Sequence, residues 1–119
     1  MHNIGTIDSI ATIIFMAGDK RFAVPHSTFH YHGAKVTFGQ GANFVLAQAK
    51  EFLDGFEKMH QKMAGIICDN TEMTKADVEE LFLHGRTKEL AFAKTKGIID
   101  EVSVPNIENG SPLIHVNNA

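Results

Sequence analysis

The chain has 119 residues, 44% of them apolar, and a formal net charge of −3. That length fits one domain or a piece of a larger one, with enough apolar mass for a core. The charge balance argues against nucleic acid or an anionic membrane as partner. The single cysteine, Cys68, excludes an internal disulfide and suits a reducing, cytoplasmic compartment.

The apolar run Ile10 to Ala17 is too short to cross a bilayer and lacks the flanks of a secretory signal. Gly5-Thr6-Ile7-Asp8-Ser9 reads as a tight turn entering a helix predicted over Ser9 to Ala17. Ser9 is expected to cap that helix, which is apolar nearly all round and so predicts burial on most sides. Gly18 closes it. Arg21 to Val24 is a predicted strand, stopped by Pro25.

A second predicted strand runs from Ser27 to His32, where alternation sets Phe29 and Tyr31 on one face and His30 and His32 on the other. Residues Ala34 to Ala42 read as a flexible loop. A long amphipathic helix is predicted from Asn43 to Asn70, with Val45, Ala49, Phe52, Phe56, Met59, Met63, Ile66 and Ile67 in one stripe. Thr74, with Asp77 at the capping-box position, opens a helix from Lys75 to His84 that ends at Gly85. Thr87 is expected to start a further helix that stops at Gly97, and Ile98 to Val102 a last strand. Residues 1–103 thus form the expected domain, and residues 104–119 an irregular tail.

Two groupings could carry chemistry. His26, His30 and His32 cluster in sequence, and a pair on one strand face can hold a metal. The following residues up to Leu53 offer only Glu51 as a carboxylate, so the expectation is no metal and no cofactor. The second grouping is Ser9 with His32. A serine hydroxyl needs a base to take its proton, and a third group to fix that base's tautomer. A serine at a helix mouth also has outward-pointing amides beside it, the first being that of Ile10. The plain alternative is an ordinary N-cap serine and solvent-facing histidines.

These residues carry a resemblance. The chain reads Gly5-Thr6-Ile7-Asp8-Ser9, then Ala17-Gly18, then Arg21-Phe22-Ala23, then Pro25-His26-Ser27-Thr28-Phe29-His30-Tyr31-His32, and later Gly97-Ile98-Ile99-Asp100. In order and spacing, from Gly5 to about Val102, this resembles the proteolytic subunit of the Clp protease. The resemblance implies an α/β fold, the ClpP or crotonase-like spiral of strands and helices. It also implies a serine endopeptidase with Ser9 as nucleophile, His32 as general base and the Ile10 amide in the oxyanion hole. Polypeptide substrates, a homo-oligomeric ring and an ATP-dependent unfoldase as partner follow from it. No nucleotide-binding motif is present, so ATP use would belong to that partner.

Two departures stand out. Counting from the Thr74 cap puts Leu81 at the family's acidic position, and counting back from Thr87 puts Glu79 there. Glu79 is therefore the candidate third member, with Glu80, or a Ser-His dyad, left open beside it; both glutamates also read as a solvated helix face. The chain is also short against the family pattern, which implies an N-terminally truncated fold with uncovered apolar surface. Two other functions remain open: a catalytically inactive assembly subunit, and an acyl-CoA enzyme of the wider crotonase-like superfamily.

Overall fold

The computed structural model describes residues 1–112. Residues 103–112 contain no helix or strand, and the rest of the expected tail, residues 113–119, lies outside the described residues. Two short strands open the chain, β1 (His2–Asn3) and β2 (Thr6–Asp8), followed by α1 (Ile10–Phe15). The chain then repeats that order with β3 (Phe22–Ala23), β4 (Thr28–Tyr31) and the long helix α2 (Leu46–Asp69). It ends with α3 (Lys75–His84), β5 (Arg86–Glu89), α4 (Leu90–Thr95) and β6 (Glu101–Val102).

The strands form two sheets of three, in the orders β1-β3-β6 and β2-β4-β5. The first is parallel throughout; in the second, β2 and β4 are parallel and β5 runs antiparallel to β4. Parallel neighbours need a crossover between them, and α1 with β3 supplies it for β2 and β4. The architecture is thus α/β, with mixed sheets and packed helices.

The alternation read in β4 holds: Phe29 and Tyr31 are buried while His30 faces outward. Phe29 meets Phe15 of α1 at 5.4 Å between ring centroids. Ile67, Val78, Leu81 and Ile98 close the same core. Arg21 ties three helix ends to it. Its guanidinium donates to the carbonyls of Asn70 (2.7 Å) after α2, Gly97 (3.0 Å) after α4 and, more weakly, Met16 (3.4 Å) at the end of α1. Those carbonyls have no intrahelical partner, and a cation is favoured at the negative end of each helix.

Several sequence expectations are corrected. Ahead of Ser9 the chain holds two strands rather than only a tight turn, because residues of β1 and β2 pair with β3 and β4. The first helix spans Ile10–Phe15 rather than Ser9 to Ala17, and Ser9 makes no side-chain cap. It is not buried on most sides: Ile10 and Ile14 are 58% and 56% exposed, and Thr12 and Phe15 face the core. The segment from Thr87 opens as strand β5, since pairing along β4 outweighs local helix propensity; the helix begins only at Leu90. In the last segment only Glu101–Val102 is a strand, and Ile98 and Ile99 are core residues before it.

The long helix forms over Leu46–Asp69 rather than Asn43 to Asn70, and of its predicted stripe only Ile67 is fully buried, with Ala64 beside it, while Val45, Ala49, Phe52 and Met59 are exposed. Its N-terminal half projects outward. There Phe52 stacks with Phe56 at 5.7 Å and meets Phe38 of the preceding loop at 5.2 Å, leaving Leu46 and Leu53 mostly exposed.

Candidate active site

Ser9 is the single residue between the end of β2 and the start of α1. Its backbone has φ 55° and ψ −127°, a left-handed conformation that L-residues with a Cβ avoid. The neighbouring hydrogen bonds explain why it stays there. The Ser9 N–H continues the strand ladder to the carbonyl of His30 at 3.2 Å. The Ser9 carbonyl already belongs to the helix, accepting from the Thr12 N–H at 3.0 Å and the Thr12 hydroxyl at 2.6 Å. One residue must therefore turn the chain from strand to helix. Such strain costs on the order of 1–3 kcal/mol and persists where the surroundings over-determine it. The Ser9 hydroxyl is not spent on a cap. The Ile10 amide is the first of α1 and precedes the helix's own ladder.

The parallel register brings β4 to the same place. Asp8 pairs with His30, so Ser9 and His32 both lie just beyond the C-terminal end of the β2·β4 pair. His32 sits one residue past β4. Its Nδ1 lies 2.7 Å from the carbonyl oxygen of Gly33. A carbonyl can only accept, so Nδ1 carries the proton and Nε2 of the neutral ring is left as the base. Nε2 lies 3.7 Å from Oδ1 of Asp8. No hydrogen bond joins the Ser9 hydroxyl to His32 among the described residues.

Gly33 is held in turn by α3 and α2. Its N–H donates to the Phe82 carbonyl at 3.1 Å. A Cβ at Gly33 would come within 2.8 Å of His60 Nε2, and His60 is itself stacked on Phe82 at 4.8 Å. A larger residue here would have to displace the stacked His60 ring.

The other sequence candidates fall elsewhere. Glu79 is on the exposed face of α3, 3.7 Å from Lys75, and Glu80 is likewise exposed. Leu81 is buried in the core and brings no carboxylate to the site. His30 packs 5.7 Å from the His32 ring, with Nδ1 2.8 Å from the Thr87 hydroxyl of β5. His26 lies in the turn before β4, away from that end of the strand. Among the described residues no group of three metal-binding side chains is close enough to hold an ion. Tyr31, beside Ser9 in the register, is buried, and that burial pushes its phenol well above the usual range and keeps it neutral.

Sequence reading missed two groups. Asp8 precedes Ser9 directly and shares a face with His30; the parallel pairing that joins them was not visible locally. The Gly33 carbonyl is backbone, and side-chain motifs do not register it.

A family model for Clp protease matches residues 1–106. The chain belongs to the Clp protease family. Comparison with curated proteins finds no match. Family membership makes the chain ClpP-like, a peptidase at the level of the family. No helix among the described residues is long and apolar enough to cross a membrane.

Proposed function

We propose that this Clp protease family chain is a serine endopeptidase, working as the proteolytic subunit of an ATP-dependent protease. One observation carries the reading: Ser9 is held at φ 55° in a strand-to-helix junction, its hydroxyl not used as a helix cap, at the strand end that also bears His32. Strained backbone of this kind concentrates at active sites.

In this reading Ser9 Oγ attacks the substrate carbonyl carbon while His32 Nε2 takes its proton. The Ile10 N–H donates to the oxyanion of the tetrahedral intermediate. His32 then gives its proton to the leaving amine, and water hydrolyses the acyl-serine with His32 again as base. The Gly33 carbonyl keeps Nδ1 protonated throughout, the orienting task a carboxylate performs in a full triad. Glu79, engaged with Lys75, has no part in it.

The substrates are polypeptides, fed by a partner unfoldase that uses the ATP. The exposed apolar residues of α1 and the aromatic cluster of Phe38, Phe44 and Phe52 support a homo-oligomeric ring, since a lone chain would leave them in water. The compartment is cytoplasmic in this reading, in keeping with its single cysteine.

A second reading, a catalytically inactive assembly subunit, draws on buried Leu81, which one of the two counts puts where the family pattern has an acid. A serine-directed fluorophosphonate probe separates the two. An active subunit is labelled at Ser9, and labelling is lost in Ser9→Ala and greatly reduced in His32→Ala. An unlabelled full-length assembly favours the inactive subunit.

A further inference from the structure

Taking a proton from Ser9 leaves His32 positively charged, and of the two residues that counting puts at the family's acidic position, Leu81 has no carboxylate and Glu79 pairs with Lys75. We propose that Asp8 is a positioning residue for His32, supplying the negative charge that stabilises the imidazolium. This rests on the Ser9–His32 reading above. Three observations support it. Asp8 Oδ1 lies 3.7 Å from His32 Nε2, the nitrogen that receives the proton. Register fixes that arrangement: Asp8 pairs with His30 across parallel strands, on the face that carries both histidine rings. Among the described ion pairs, Asp8 has no other cation, while Glu79 is taken by Lys75.

The step balances without any other reactant. The Ser9 O–H bond breaks and an N–H bond forms at Nε2. The oxygen's electron pair makes the bond to the substrate carbonyl carbon, and the negative charge moves to the carbonyl oxygen. The positive charge gained by His32 appears beside the carboxylate of Asp8. Because that carboxylate is mostly exposed, its effect is modest and sensitive to salt.

The test is the rate of fluorophosphonate labelling of the full chain, compared with Asp8→Asn and Asp8→Glu. Asn keeps the shape and removes the charge. It is expected to slow labelling roughly two- to fivefold, the size of a partly exposed ion pair. Glu is expected to restore most of the rate. The gap between wild type and Asp8→Asn narrows at about 1 M salt, where the screening length of ~3 Å is shorter than the pair. A purely structural role would not give that salt dependence. Equal rates in wild type and Asp8→Asn overturn the assignment and leave the peptidase reading standing. Faster labelling of Asp8→Asn also overturns it, because Asp8 would then compete with Ser9 for Nε2. A wild-type chain that is not labelled overturns both.

Discussion

His32 Nδ1 and the carbonyl oxygen of Gly33 lie 2.7 Å apart, so the residue after the candidate base fixes that base's tautomer. In the proposed peptidase, this short backbone contact takes the place of the carboxylate that a distant segment supplies in a full triad. It ties the chemistry of His32 to the placement of one peptide unit. That peptide is held by the Phe82 carbonyl on one side and confined by His60 on the other.

Gly33→Ala should therefore disturb catalysis through the backbone. Its Cβ would meet His60 Nε2 at 2.8 Å, and the stacked His60 ring resists moving. Overpacking of this kind costs about 1–3 kcal/mol and would turn the carbonyl away from Nδ1. Chemical denaturation and the labelling rate should both fall. Adding His60→Ala should recover much of each. No recovery in the double variant would mean that His60 is not what confines Gly33.

Ser9→Gly should be more stable than Ser9→Ala. Glycine adopts φ 55° without strain, whereas alanine keeps the Cβ and the penalty. The expected gap is about 1 kcal/mol in urea unfolding. Both variants lose probe labelling. A gain in stability on losing the hydroxyl would fit a serine held there for function, and equal stability would remove the strain argument.

The elements most legible in the sequence were those decided locally. The α3 capping box and its Gly85 stop come from residues within one turn, and the structure gives Lys75–His84 as expected. Likewise the inward Phe29 and Tyr31 follow from alternation alone. What misled was pairing over distance. Thr87 has the look of a helix start, yet Arg86–Glu89 lies against β4, about sixty positions away in the chain. The site divides in the same way. Ser9 and His32 are candidates from motif order alone, whereas Asp8 reaches His32 only through the β2·β4 register.

Arg21→Met should loosen three helix ends at once. The guanidinium bonds the carbonyls of Asn70 and Gly97 through one nitrogen and reaches Met16 with another. Hydrogen bonds from a charged donor contribute roughly 1.5–3 kcal/mol, and the loss of this group should cost about that much in urea unfolding. Arg21→Lys keeps the charge but not the planar fork, so it should recover less than half. Full rescue by lysine would reduce the clamp to simple charge.

Asp77 should make α3 sensitive to acid. The Thr74 N–H donates to its carboxylate at 2.9 Å, and Lys96 and the Thr74 hydroxyl each approach within 3.0 Å. Led by the Thr74 backbone bond, these contacts lower its pKa to about 2. The folded form thus prefers the ionised group more than the unfolded chain does. Its contribution is complete above the ordinary Asp range near pH 4, and is lost as pH falls through that value toward about 2. Asp77→Asn should be less stable than wild type at neutral pH, and the difference should shrink as the solution is acidified through that window. Lys96→Met should weaken the same acid dependence without abolishing it, because the Thr74 bonds remain. Urea midpoints across the pH series give the comparison. A wild-type-to-Asn gap that stays constant down to pH ~2 would show that the capping carboxylate does not couple folding to protonation.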